Sequence, residues 1–187
     1  MSRIGAQATT MDMIARECGI SKRTLYEVFP DKKSLVAEIV ATVNNTHKVE
    51  FEAIFRNSGN VFEALLNIYH RIREYLQNTS FAFFDDIKRL YPEIHETRKS
   101  NEIAHIEKFA NAIEAAKTQG LVVPNINSKI ASTIFLTSIR SLQDNDLINE
   151  MQFNKVEVFD GAFINFMRGI ATIKGIEIIE NFLINSK

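Results

Sequence analysis

Residues 9–36 read TTMDMIARECGISKRTLYEVFPDKKSLV, and this stretch decides the fold. Thr9 or Thr10 can cap a short helix running through Cys18, since a hydroxyl just ahead of a helix accepts from an otherwise unpaired backbone N–H. Gly19 follows, where a helix end calls for a left-handed residue that glycine adopts without strain. Ser21 can cap a second short helix ending near Phe29 and Pro30, and Asp31 can cap a third, long one. Two short helices joined by a three-residue turn containing glycine make a helix-turn-helix pattern. Ile14, Cys18, Ile20, Leu25 and Val28 are the apolar positions such a pair is expected to bury, with Ala15 small at the crossing.

Outward from this motif, helical periodicity dominates. From Leu35 the apolar positions Val36, Ile39, Val43, Phe51, Ile54 and Phe55 form a one-sided stripe, and Val61, Phe62, Leu65, Ile68, Tyr69, Ile72, Tyr75 and Leu76 form the next. Phe81 to Leu90 is a shorter apolar stretch, and Pro92 suits the first turn of a new helix ending near Gly120. LVVPNIN is a linker, after which Asn127 or Ser128 can cap a helix from Ile130 to about Leu142. DNDLINE reads as a polar break, and helices from about Val156 to Ile170 and Ile173 to Leu183 complete an all-α chain.

Composition agrees. The 187 residues carry seven glycines and three prolines, too few for the turns of an all-β sandwich or barrel. One cysteine excludes an intrachain disulfide framework and points to a reducing compartment. No apolar run approaches membrane-spanning length and MSRIGAQATT lacks the apolar core of a secretory signal, so a cytoplasmic protein without membrane contact is expected. A net charge of −1 excludes a uniformly basic coat but not a local basic patch.

GISKRTLYEVFPDKKSLV resembles the recognition-helix segment of the TetR family of bacterial transcriptional regulators, and ATTMDMIARECG resembles the helix before it. The motif covers about a sixth of the chain; the remaining helices, including YPE and GLVVPNI, resemble the regulatory domain of that family more loosely. The resemblance implies a homodimer that binds a palindromic operator in double-stranded DNA, usually represses, and releases DNA when a small-molecule effector enters the larger domain. It also implies a helix of about four turns ahead of the motif. RIGAQATT resembles the loop after that helix, so the first helix reads as truncated here, and finding about 15–25 further upstream codons with an amphipathic pattern would restore the complete module.

Within residues 21–33, Lys22, Arg23, Lys32 and Lys33 stand against Glu27 and Asp31, a local charge of +2. Lys32 and Lys33 fall in the first turn of a helix, where the macrodipole disfavours cations, so they need solvation or an anion nearby. Lys32 is expected to meet a DNA phosphate. Lys22, Arg23 and Thr24 occupy the leading end of the second helix, the end that enters the major groove in helix-turn-helix proteins. There Arg or Lys can read guanine and Thr can touch a thymine methyl group or a phosphate. Tyr26 resembles the family tyrosine that contacts backbone phosphate, whereas Val28 stands where many members carry histidine or tyrosine. Thr10 and Ser21 complete the expected DNA-binding set. Glu27 should face a cytosine amino group or point away.

Elsewhere the sequence holds no catalytic arrangement, no phosphate-binding glycine loop and no zinc spacing, so neither an enzyme nor a cofactor is called for. Asp85, Asp86, His95 and Glu96 are the nearest approach to a metal set. Cys18 reads as a small buried hydrophobe on the inner face of its helix. Phe81, Phe83 and Phe84 with Tyr69 and Phe109 can line a ligand cavity or be plain core. The expected pocket set is Tyr69, Phe84, Phe109 and Ile113, with His70 or His105 as polar anchors. Phe159, Ala162, Phe163 and Phe166 beside Gly161 and Gly169, with Ile134, Phe135 and Ile139, lie on helices apolar on more than one side. They read as a four-helix dimer interface.

The expectation is therefore a helix-turn-helix DNA-binding domain over residues 1–36 and a helical regulatory, ligand-binding and dimerisation domain over residues 37–187. The rival reading is an all-α small-molecule-binding or scaffolding protein whose DNA-binding head is vestigial.

Overall fold

The structure is a computed structural model that describes residues 5–78, 81–94, 96, 102–144 and 153–185. Its helices are α1 (Met11–Glu17), α2 (Lys22–Val28), α3 (Lys32–Asn57), α4 (Val61–Asn78), α5 (Phe81–Leu90), α6 (Glu102–Thr118), α7 (Ser128–Asp144), α8 (Lys155–Ile170) and α9 (Ile173–Asn185). A helical turn at residues 92–94 begins on Pro92, as its missing N–H allows. Among the described residues there is no strand, only an isolated bridge between Val122 and Ala171. No helix of the described residues is long and apolar enough to cross a membrane.

The helix boundaries follow the capping chemistry. Thr10 Oγ1 accepts from the Met13 N–H at 3.2 Å, so Thr10 caps α1, while Thr9 turns inward and donates to the Gly5 carbonyl at 2.7 Å. Gly19 has φ of +68° and ends the α1 turn. Ser21 Oγ accepts from the Thr24 N–H at 3.0 Å. Asp31 Oδ1 accepts from the Ser34 N–H at 2.7 Å, and that hydrogen bond holds the Asp31 carboxyl below its ordinary range. Asn127 rather than Ser128 caps α7, accepting from the Ile130 N–H at 3.0 Å.

The chain divides into two compact units, Met1–Phe51 with Tyr75–Asn101, and Glu52–Glu74 with Glu102–Lys187. The first of these units draws on residues far along the chain, beyond the boundary expected at residue 36. Ala6, Val36, Phe83, Ile87 and Ile94 form one buried cluster, with Ile39, Val40 and Tyr91 against it. Phe83 is thus core of the first unit rather than part of an effector cavity. Met11, Ala15, Leu25 and Leu35 form the other cluster of this unit, flanked by Ile14, Phe29 and Ile39.

Three expected core positions are on the surface instead. Cys18 is exposed, because α1 stops at Glu17 and the inward stripe is carried by Met11, Ile14 and Ala15. Ile20 is exposed in the turn. Val28 is 65% exposed, because Leu25 and Phe29, four residues apart, take the inward side of α2.

In the second unit the linker Leu121–Asn127 is stitched to the α8–α9 junction. The Val123 N–H donates to Ile170 O and the Thr172 N–H to Leu121 O, both at 2.9 Å, and Thr172 Oγ1 donates to Gly120 O at 2.7 Å. Phe62, Leu66, Ile113, Leu121, Met167 and Ile179 are the large side chains fully buried in this unit. Gly175 lets α9 approach this linker. A Cβ there would lie 2.4 Å from the Leu121 carbonyl oxygen and 2.8 Å from Phe62 Cε2.

Gly175→Ala is therefore expected to lower stability by about 1–3 kcal/mol through overpacking against backbone. Gly19→Ala should cost about 1–2 kcal/mol through left-handed strain alone, since nothing lies within 4 Å of its added Cβ. Denaturant midpoints at constant slope measure both.

Candidate functional site

Leu25 is the only side chain of α2 that is buried. With one anchor on a seven-residue helix, the other side chains fan outward, and Lys22, Arg23, Thr24, Tyr26, Glu27 and Val28 are all exposed. Of the residues read as DNA-binding in the sequence, Thr10 and Ser21 are caps, while Lys22, Arg23, Thr24 and Tyr26 share the free surface of α2. Ser21 Oγ and Thr24 Oγ1 are 2.9 Å apart, which fixes the Thr24 hydroxyl beside the helix start.

Acidic partners hold several cations of this region. Lys22 Nζ lies 2.8 Å from Asp12 Oδ1 on α1 and 5.9 Å from the centre of the Tyr26 ring. The hydrogen bond to Asp12 holds the Lys22 ammonium above its ordinary range. Arg23 Nε donates to Glu27 Oε1 at 3.0 Å. Lys33 Nζ lies 2.7 Å from Glu93 Oε1, so the anion that Lys33 needs at a helix N-terminus comes from the 92–94 turn. Lys32 differs. Its Nζ donates to the Gln7 carbonyl at 3.4 Å and no carboxylate among the described residues pairs with it.

The segment ahead of α1 is pinned from α5. Asp86 is buried and accepts from the Gln7 N–H at 2.7 Å, and Arg89 donates to Asp86 Oδ1 at 3.2 Å and also to the Gln7 side-chain carbonyl. Asp86, one of the acids nearest to a metal set in the sequence, is thus spent on the backbone. His95 and the Asp85 side chain lie outside the described residues. This pinning was not legible from local sequence, because Gln7 and Asp86 are 79 positions apart.

The second unit holds an aromatic assembly. Tyr69 stacks on Phe163 at 4.7 Å and on Phe159 at 5.6 Å between ring centres. Phe135 meets Phe163 edge-on at 5.7 Å and stacks on Phe166 at 4.4 Å and on Phe109 at 5.3 Å. Tyr69 Oη donates to Asp160 Oδ1 at 2.8 Å, and Arg73 Nε holds Asp160 Oδ2 at 2.9 Å. Burial, and then the bonded Asp160 carboxylate, push the Tyr69 phenol well above its ordinary range. Ser132 is fully buried on α7, and its hydroxyl has no hydrogen-bond partner among the described residues.

This arrangement redistributes the expected sites. Tyr69 and Ile113 are buried in this unit, and Phe109 is half-buried against Phe135. His70 instead faces Glu74 from the surface at 3.5 Å, His105 is exposed, and the Phe84 side chain lies outside the described residues. Phe135, Phe159 and Phe163, read as dimer-forming, are buried within the single chain because they stack on Tyr69 and on one another. Ile139, Ala162 and Phe166 are half-buried, and Ile134 is 61% exposed. Asp160, Arg73 and Ser132 escaped the sequence reading, which followed only apolar residues and histidines there.

Residues 1–39 match the model of a family described as bacterial regulatory proteins, tetR family. No curated protein matches the chain in sequence. Among solved structures, it resembles a transcriptional regulator from Cytophaga hutchinsonii ATCC 33406 at 20% identity and TM-score 0.70, over 91% of this chain and 92% of that one. A TetR-family regulator from Agrobacterium tumefaciens aligns at 14% identity and TM-score 0.65, over 90% of each chain. A structure described as the SmeT–triclosan complex aligns at 16% identity and TM-score 0.62, over 91% of this chain and 85% of that one. At these identities the likeness is one of fold.

The Lys33–Glu93 pair has a measurable titration. The hydrogen bond from Lys33 depresses the Glu93 carboxyl, so the pair persists above the usual glutamate value of about 4.3 and is lost as pH falls through the lower folded value. Carboxyl NMR should find Glu93 titrating below the glutamate range in the native chain and returning to it in Lys33→Gln.

Proposed function

From this TetR-family regulator fold we propose that the protein is a DNA-binding transcriptional regulator that grips its operator as a homodimer and responds to a small apolar effector. The observation that carries the proposal is the exposed surface of α2, held by Leu25 alone and bearing Lys22, Arg23, Thr24 and Tyr26 within residues 1–39. A helix-turn-helix places such a surface in the major groove, where side chains meet base edges. Lys32, with no carboxylate partner among the described residues, supplies charge for a phosphate.

The dimer surface in this proposal is revised from the sequence reading. On α7, Ile130 and Ile134 are 57% and 61% exposed, and on α8, Gly161 and Gly169 open onto free space. Exposed isoleucines on one helix and small residues on its neighbour suit a two-fold pairing that brings helices close, with Ile139, Ala162 and Phe166 at the margin. A dimer that reads two half-sites needs its recognition helices about 34–36 Å apart, on one face of the duplex.

The effector region is the aromatic assembly around Tyr69, Phe109 and Ile113, with Arg73, Asp160 and Ser132 as its polar groups. Apolar linings with few polar groups are the usual composition of small-molecule sites. A similar fold holds triclosan in the SmeT complex. The effector shifts DNA affinity only by its differential affinity for the two states of the dimer. A unit boundary falls within α3, after Phe51, and another within α4, after Glu74, so both helices are covalent routes between effector and operator.

Titration of a labelled operator under varied salt tests the proposal. Arg23→Ala should cost about 1–3 kcal/mol on the preferred operator. Lys32→Ala should weaken binding to every sequence and make the salt slope shallower by about one. Absence of salt-dependent DNA affinity would overturn the reading in favour of a vestigial head.

Ile134→Glu tests the dimer. Sedimentation should find soluble, folded monomers, since a side chain this exposed is not needed for folding. A variant that stays dimeric would show that another surface is used.

A further inference from the structure

We propose that Arg23 and Glu27 act as one unit that reads both bases of a single G·C pair in the major groove. The inference rests on the reading of α2 as the DNA-reading helix and goes beyond it by assigning a base pair and a role to the acidic residue.

Helical geometry gives the first reason. Successive residues turn by about 100°, so the direction opposite Leu25 falls midway between Arg23 and Glu27. Leu25 is the buried anchor, and these two side chains are therefore the ridge of α2 that projects furthest from the head. Both are open to solvent, with 89% of the Arg23 side chain and 59% of the Glu27 side chain accessible. Lys22 and Tyr26 fall on one flank of the ridge, and Thr24 and Val28 on the other.

Hydrogen-bond inventory gives the second reason. Arg23 engages Glu27 through Nε alone, at 3.0 Å to Oε1. Both Nη atoms of the guanidinium and Oε2 of the carboxylate have no other partner among the described residues. The pair thus offers two donors and an adjacent acceptor, already joined by a hydrogen bond. Across the major groove a G·C pair presents guanine N7 and O6 as acceptors, then the cytosine N4 amino group as donor. The two arrays are complementary: the Nη atoms meet N7 and O6, and Oε2 meets the N4 amino group. An A·T pair offers one acceptor, one donor and then another acceptor, which places a donor against a donor and an acceptor against an acceptor.

Electrostatics gives the third reason. A lone glutamate on a groove-facing ridge would be repelled by phosphates. Paired with Arg23 it is neutralised, and the unit as a whole makes no net contribution to counterion release. Its function is discrimination rather than grip, which falls to Lys32.

The test begins with selection of a preferred site from a randomised duplex library using the full chain. One pair in each half-site should be fixed as G·C and should lose its preference in Arg23→Ala. At that pair cytosine is then replaced by 2-pyrimidinone, which keeps guanine opposite it but removes the N4 amino group. The native chain should lose roughly fivefold or more in affinity on this replacement, and Glu27→Ala should lose none beyond its own baseline. The double variant Arg23→Gln/Glu27→Gln should keep the native salt slope. Circular dichroism and thermal midpoints of all variants serve as folding controls, since both side chains lie on the surface.

An equal loss on the modified duplex for the native chain and Glu27→Ala would overturn the proposal while leaving DNA binding intact. So would a library with no fixed G·C pair dependent on Arg23. No salt-dependent DNA binding at all would overturn the regulator reading together with it.

Discussion

The burial of Leu25 is the constraint on which the candidate interface depends. Leu25 packs with Met11, Ala15 and Leu35 and is the only buried side chain of α2, and with the C-cap residue Phe29 packed against the same cluster it fixes the rotation of that helix about its axis. Everything that α2 offers to a partner follows from that rotation. A helix of seven residues makes too few internal hydrogen bonds to persist alone, so its stability is borrowed from this cluster and from the Ser21 cap. The same economy explains the head as a whole. Two short helices cannot bury enough apolar surface to stand by themselves, and the cluster of Ala6, Val36, Phe83, Ile87 and Ile94 supplies the remainder from α5 and the turn beyond it.

That completion has a polar counterpart. A buried carboxylate is costly unless hydrogen-bonded, and Asp86 accepts from the Gln7 backbone and from Arg89. Nearby, Glu93 answers the unfavourable position of Lys33 in the first turn of α3. The segment from Asp86 to Ile94 is thus both core and electrostatic partner to the head. Charge on the head is distributed unevenly as a result. Lys22, Arg23 and Lys33 each have an acid, and Lys32 has only a carbonyl among the described residues. A region with a formal surplus of +2 presents its surplus at few points, which favours orientation over indiscriminate attraction to polyanions.

In the second unit the organising feature is aromatic. Six rings from α4, α6, α7 and α8 are linked by centre-to-centre distances between 4.4 and 6.2 Å. Stacked and edge-on aromatic pairs add stabilisation beyond their buried area, about 0.5–1.5 kcal/mol each. Burial of Phe135, Phe159 and Phe163 in this assembly leaves the outward sides of α7 and α8 with isoleucine and glycine. The same helices therefore present an aromatic interior and, outside, exposed isoleucines and glycines among polar residues. This accounts for apolar residues on more than one side of each.

Much of this was determined by the sequence itself. Caps at Thr10, Ser21 and Asp31, glycine at 19 and the three-to-four-residue spacing of apolar positions are local signals, and the helices they define are present. The identity of the head is local for the same reason, since a turn and two caps lie within some twenty residues. Tertiary structure alone decided which apolar residue faces which neighbour. Periodicity shows that a helix has an apolar side but not whether that side is covered by its own chain, and so Phe163 and Ile134 could not be told apart. Cys18 and Val28 fit the inward pattern, yet α1 ends one residue before the first and Phe29 takes the place of the second. Contacts such as Gln7 with Asp86 and Tyr69 with Asp160 join residues 79 and 91 positions apart. No local rule brings such residues together; only the packing of whole helices does.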